Sequence, residues 1–239
     1  LLYPENNGFP SVFGKRNSTK SDKTLLFYTH YDVQPADPLE LWESEPFSPE
    51  RRDNRLYGRG MSDDKGNIAA RLAAIKAFMD LENDLPVNIK FFMEGEEEVG
   101  SKNLLSIINK NKQLLSADGC IWEGGGVNMS GSPLIYIGLK GALTIKMYVN
   151  KLSVDAHSMY SPILPSSIDR LTKAINSMKN DLGQIVIEGF NEAIIDLNKD
   201  QREAINSLPN DSNEWKKTFG LDFNEYDSES VDQLNIKLY

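Results

Sequence analysis

His30 and Asp32 stand two residues apart, just past a run of four apolar residues, Leu25, Leu26, Phe27 and Tyr28. In an extended chain, residues i and i+2 project to the same side. One imidazole nitrogen is then free to take a metal, while the aspartate holds the proton on the other nitrogen and fixes the ring. Three acidic sites follow similar stretches: Asp63 in GRGMSDDKG, the run Glu94, Glu96, Glu97 and Glu98 after VNIKFF, and Glu123 after CIW and before three glycines. Singly, each has a plainer explanation. Ser62 or Asp63 would serve as a helix N-cap, Gly58 and Gly60 mark tight turns, and acid runs are usually solvated faces. Together they bring one imidazole and several carboxylates to successive strand ends, which is the ligand set of a hydrolytic zinc or manganese site. Carboxylates concentrated there repel unless a cation sits among them. A glutamate beside a ligating one is free to act as base on a water. His157 is the only other histidine in the chain.

Strand ends need strands, and the hydropathy pattern supplies them. The unbroken apolar run at 25–28 fits a strand covered on both faces of a parallel sheet, whose carboxyl end is where such sheets place ligands. A long loop over 33–60 is followed by a helix expected over 64–81, with Ile68, Ala69, Leu72, Ala73, Ile75, Phe78 and Met79 as its apolar stripe. Pro86 precedes the strand VNIKFFME; Ser101 is placed to cap a helix with Leu104, Leu105, Ile107 and Ile108 inward; and residues 120–122 read as another strand, with Cys120 buried in it. This alternation predicts a mostly parallel sheet flanked by helices. Around residues 138–141 the style changes: LTIKMYVN alternates like a half-exposed strand, a helix follows over 166–178, QIVIEGF reads as a strand, and 191–220 is polar and helical. That predicts a small α+β domain over 142–239 after a metal-binding portion over 1–141.

Composition removes several classes of partner. With 26 basic against 35 acidic residues the net charge is −9 and the pI about 4.9, so no basic stripe awaits a nucleic acid. No apolar run approaches the roughly 20 residues of a membrane span. A single cysteine excludes an internal disulfide and fits a reducing, cytoplasmic compartment. The chain starts at Leu1, and its last residues, DQLNIKLY, read as a strand without a following turn. A fragment is the expectation at both ends.

The segments THYDVQPAD, LWESEPFSP, LYGRGMSDDKG, FFMEGEEEVGS and IWEGGG resemble, in order, the co-catalytic zinc metallopeptidases that include carnosinase-type dipeptidases, aminoacylase, succinyl-diaminopimelate desuccinylase and carboxypeptidase G. The resemblance runs from about residue 10 onward. It implies two divalent metal ions, zinc foremost with manganese or cobalt as alternatives, and a lid domain inserted for dimerisation. By position it makes His30 a terminal ligand and Asp32 its supporting partner. Asp63 becomes the carboxylate bridging both metals, with a cis peptide at Asp63–Asp64, unusual for a non-proline bond. Glu97 becomes the general base, Glu98 the terminal ligand of the second metal, and Glu123 the residue completing the first. His157, in VDAHSMYSP, matches the lid histidine that reaches across a homodimer to the substrate carbonyl. Trp42 and Phe47 match a packing loop.

Two departures qualify the match. Met159 replaces the glycine that usually follows His-Ser. The second metal's histidine comes, in the family, from a C-terminal segment, and both histidines here already have roles, so the first metal is expected to bind better. The implied activity is hydrolysis of dipeptides or short peptides, toward which EGFNEAI leans. The alternatives are N-acyl-amino-acid deacylation, carboxypeptidase action, or a catalytically incomplete fragment.

Overall fold

In the computed structural model the described residues are 1–220, apart from 129, 130, 137, 140, 182, 193, 210 and 211; the strand expected at 232–239 lies outside them. The chain divides into two units, Leu1–Val127 with Pro133–Ile135, and Asn128–Ser132 with Tyr136–Tyr239.

The first unit runs β1 (Val12–Arg16), β2 (Thr24–His30), β3 (Glu50–Arg52), β4 (Arg55–Tyr57), α1 (Lys65–Glu82), β5 (Asn88–Glu94), α2 (Leu104–Lys110), α3 (Lys112–Leu115) and β6 (Gly119–Trp122). Its main sheet has the order β1-β5-β2-β6, with β2 parallel to both neighbours and β1 antiparallel at one edge. Register sets Phe27 beside Phe91, Tyr28 between Phe92 and Trp122, and His30 beside Glu94. Because strand side chains alternate faces, Leu26, Tyr28 and Phe92 pack with Ile107 and Leu115 on one side. Leu25, Phe27, Ile89 and Phe91 pack with Leu85, Ile75 and Met79 on the other. Ring stacking continues across the sheet, with centroids 5.0 Å apart for Phe27–Phe91, 6.0 Å for Tyr28–Phe92 and 4.0 Å for Tyr28–Trp122. Both faces are covered, which is why the 25–28 run is apolar throughout. The chain leaves β2 through α1 to β5 on one side, then passes through α2 and α3 to β6 on the other. The carboxyl end of β2 therefore lies where the connections reverse, the usual ligand crevice of a doubly wound sheet.

Several local expectations are corrected. The 33–60 segment is not all loop, since it holds a short 3-10 turn at Leu39–Leu41 and the β3–β4 hairpin, whose Asp53 and Asn54 take positive φ of 47° and 62°. Two left-handed residues in a row make the turn whose twist matches its strands. Helix α1 begins after Asp64, and only a narrow row of it meets the sheet. Ile68, Ile75 and Met79 are half-buried, whereas Ala69 and Ala73 are exposed and Leu72 and Phe78 are each 48% exposed. Ser101 has φ 51° and caps nothing; Asn103 precedes α2, and Leu105 points outward. Cys120 is exposed because β6 pairs only with β2 among the described residues. Trp42 is half-buried and donates to the Ala36 carbonyl at 2.8 Å, but Phe47 is exposed.

The second unit contains α4 (Ser167–Asn176), α5 (Lys199–Asn206) and α6 (Ser212–Phe219). Ser166 caps α4 by accepting from the Asp169 N–H at 3.1 Å, and Asn198 and Gln201 form a reciprocal capping box on α5. The strands expected in LTIKMYVN and QIVIEGF are not formed. Residues 143–150 are irregular, and Ile185 makes only an isolated bridge with Lys179. Alternation yields a strand only where a neighbour closes its hydrogen bonds, whereas a capped helix closes its own. Among the described residues no helix is long and apolar enough to cross a membrane.

Candidate metal centre

His30 ends β2 with none of its surface exposed. Its backbone N–H donates to Asp64 Oδ2 at 3.3 Å. Its Nδ1 lies 3.2 Å from the Asp32 carbonyl oxygen and 3.4 Å from Asp32 Oδ1. A proton on Nδ1 satisfies that side, leaving Nε2 to face Asp63 Oδ1 at 2.8 Å and Glu123 Oε1 at 3.2 Å. Two carboxylates thus converge on one imidazole nitrogen, where a cation can stand in place of a shared proton.

Each carboxylate arrives by a different device. Asp63 lies just before α1, and the peptide joining it to Asp64 is cis, as the resemblance implies. Asp64 is buried, accepting from Asn67 Nδ2 at 2.6 Å as well as from His30. Glu123 follows β6, where its N–H donates to the Tyr28 carbonyl at 2.9 Å; its φ of 45° turns the chain out of the strand. Glu97 and Glu98 share the single 3-10 turn Glu97–Val99 after β5. Asp32 reaches this turn, its Oδ2 accepting from the Glu98 N–H at 2.9 Å, and Gln34 Nε2 donates to Glu98 Oε2 at 2.9 Å. Asp32 therefore joins the histidine to the glutamate turn, rather than serving the ring alone.

The resulting geometry contains two overlapping groups, His30 with Glu97 and Glu123, and His30 with Asp63 and Glu98. In each group the ligand atoms lie within 4.8 Å of one another. His30, Asp32, Asp63, Glu97, Glu98 and Glu123 are thus brought together. His157 belongs to the second unit. There its Nδ1 accepts from the Met159 N–H at 3.2 Å at the start of the 3-10 turn Ser158–Tyr160, and it lines a cleft of about 580 Å³. Met159 sits within that turn, where no left-handed backbone is required of it.

The electrostatics match a cation site. Burial raises the Glu97 carboxyl; His30 opposes this, while Glu98, Asp63 and Asp32 add to it. Burial likewise raises Glu123, reinforced by Glu97 and opposed by His30. Burial works against a charged His30, but the hydrogen bond and charge of Asp63, followed by Glu123 and Glu97, prevail and raise it. Asp32 Oδ1 is buried without a hydrogen-bond partner. One imidazole nitrogen among carboxylate oxygens that mutually disfavour ionisation is a donor set that fits divalent ions such as zinc or manganese.

Sequence reasoning gave no role to the side chains of Asp64, Gln34, Lys65 and Arg71. Lys65 Nζ donates to the Tyr31 carbonyl, and Arg71 donates to the carbonyls of Tyr28 and Glu123. The available signal for Arg71 was its spacing, since with Ile68, Ile75 and Met79 it completes the inward row of α1.

The fold and the cluster define a doubly wound α/β protein with a histidine–carboxylate centre at its strand ends. The family model described as Peptidase family M20/M25/M40 matches residues 26–203, and the chain belongs to that family. It is 31% identical over 212 residues to the human protein named Beta-Ala-His dipeptidase, covering 87% of this chain and 42% of that one. It is 30% identical over 227 residues to the Cys-Gly metallodipeptidase of Schizosaccharomyces pombe, covering 91% and 46%. Among solved structures, an M20 family metallo-carboxypeptidase from Sulfolobus solfataricus superposes with a TM-score of 0.85 at 37% identity, covering 99% of this chain and 53% of that one. The chain thus spans about half the length of the relatives it matches.

Proposed function

We propose that the protein carrying this chain hydrolyses the peptide bond of dipeptides or short peptides with the help of two divalent metal ions, zinc foremost. The observation that carries this reading is the convergence of Asp63 and Glu123 on His30 Nε2, at 2.8 Å and 3.2 Å, with Glu97 and Glu98 beside them. His30 and Glu123 would hold one ion, Glu98 the other, and Asp63 both. When bound, such ions supply Lewis acidity and lower the pKa of a water toward about 7. Glu97 would serve as the base toward a water held there and pass the proton on to the departing amine, for which a carboxyl raised by burial is suited. Asp32 fixes the imidazole and the glutamate turn together. The division at 141/142 into a metal-binding portion and a lid, with His157 polarising the substrate carbonyl across a homodimer, belongs to the same proposal. So does a cytoplasmic location, which the lone Cys120 supports.

The decisive test is Glu97→Ala in the protein that carries this chain. The expected result is a drop in kcat of about 10²–10⁴-fold with metal content unchanged. Metal lost with turnover intact would overturn the role. Carboxypeptidase action is the second reading, favoured by the likeness to the Sulfolobus enzyme. Peptides with free and acylated amino termini separate the two: a dipeptidase demands the free amine, and a carboxypeptidase cleaves both.

A further inference from the structure

Arg71 stands on the inward row of α1, with its guanidinium carbon 5.4 Å from the centre of the Phe27 ring. Nη1 donates to the Tyr28 carbonyl at 3.2 Å, and Nη2 donates to the Glu123 carbonyl. One side chain thus grips the last rung joining β2 and β6, where the Glu123 N–H itself donates to the Tyr28 carbonyl. Both acceptors are neutral carbonyls, although a half-buried guanidinium is ordinarily directed at a carboxylate. What the grip secures is visible one bond away. Glu123 is a non-glycine residue at φ 45°, followed by three glycines that bring no side chain of their own, and its carboxylate lies 3.2 Å from His30 Nε2.

We infer that Arg71 is a positioning residue for the metal centre: it holds Glu123 in the left-handed backbone that turns its carboxylate toward His30, and so sets the affinity of the ion those two residues share. This rests on the reading of His30 and Glu123 as ligands. The seventh residue of α1 thereby acts on a ligand donated by a different strand, a second layer of support of the kind whose loss typically weakens metal binding about 10–100-fold.

The test is titration of the protein with cobalt(II) against a chromophoric chelator, comparing wild type, Arg71→Met, Arg71→Lys and His30→Ala, with thermal melts of each metal-free protein. Arg71→Met is expected to weaken the tighter ion about 10–100-fold and to alter its visible cobalt spectrum. Arg71→Lys, which reaches one carbonyl at a time, should recover part of the loss. If Arg71→Met does not fold, Arg71→Lys decides alone, by weaker binding and a changed spectrum at that ion. A lower melting temperature with wild-type affinity and spectrum would make the role merely structural and overturn the inference. His30→Ala separates the two levels. Should it leave the tighter ion unaffected, the ligand assignment itself falls; should it abolish that ion while both Arg71 variants bind normally, only the inference about Arg71 falls.

Discussion

The two units of this chain hold their residues in place by different means. In the first, polar ties span long stretches of sequence: Tyr28 donates to Glu94 at 2.6 Å, the Glu98 N–H to Asp32, and Arg71 to Glu123. Every buried apolar residue among the described ones also lies there. In the second, the caps on α4 and α5 bridge three residues each, and large apolar side chains such as Tyr148 and Ile195 are 84% and 93% exposed. A site that gathers two overlapping groups of three side chains around His30 requires the first kind of scaffold. Local hydrogen bonds can place a helix, but they cannot set distances between strand ends.

The comparison breaks most readily at the two histidines. On the proposed assignment His30→Ala should lower metal affinity by more than about 100-fold, since it would remove a ligand and not merely its support. His157→Ala should leave metal affinity at the wild-type value while lowering kcat by about 10²–10³-fold, the scale for losing one oxyanion donor. Equilibrium dialysis and turnover measured on the same preparations check both. Equal effects on metal binding would erase the proposed separation of roles.

Next in size is the core. Phe92 is almost wholly buried, stacked against Tyr28 and packed near Ile107. Phe92→Ala should therefore cost about 3–5 kcal/mol in a urea melt. Ile195→Ala, at an exposed position, should change stability by no more than about 0.5 kcal/mol. A large effect at Ile195 would reveal packing in the second unit that the chain by itself does not display.

In the proposed site protons and metal would compete for the same atoms, and the sign follows from the raised values. A raised imidazole contributes stability that is fully present below about pH 6.5 and lost as pH rises through the higher folded value. Glu97 and Glu123, raised chiefly by burial, act in the same direction, because their neutral forms are the ones the metal-free fold favours. The metal-free protein should accordingly melt at a lower temperature at about pH 8 than at about pH 6, and zinc should reverse that order. Calorimetry with and without chelator decides it.

How much of this was legible beforehand follows the same division. The strands bearing His30, the glutamate run and Glu123 declare themselves as apolar runs ending in chemistry, because a strand covered on both faces admits little else. Strand order is another matter: nothing in GCIW says that β6 has one neighbour among the described residues, so Cys120 is read as buried and is found exposed. The hairpin β3–β4 is hidden by its charge, since ERRDNRLY offers no apolar face, although Asp53-Asn54 mark its turn. Arg71 is masked by its type, a cation in an otherwise apolar row. In the second unit LTIKMYVN has strand alternation without strand structure, while the helix expected over 166–178 forms as Ser167–Asn176.

The smallest expected effect sharpens the contrast between long-range and local ties. Asp84, just past α1, accepts from the Thr19 N–H at 2.7 Å, from the Thr19 hydroxyl at 2.6 Å and from the Leu85 N–H at 2.8 Å. The Thr19 hydroxyl, then its N–H, hold the carboxyl down at about 2. A depressed carboxyl contributes stability that is present above its ordinary value of about 3.9 and lost as pH falls through the folded one. Asp84 is only partly covered, so solvent screening keeps the contribution small, but its pH dependence is distinctive. Thr19→Ala should lower the melting temperature slightly at neutral pH, with the difference shrinking below about pH 3.9, and should move the Asp84 carboxyl titration, followed by carbon NMR, back toward that value. Asn198→Ala removes a neutral cap, and its effect should not vary with pH over the same range. If the two variants respond to acid alike, charge is not what distinguishes the ties of the first unit from those of the second, and only their span in sequence remains.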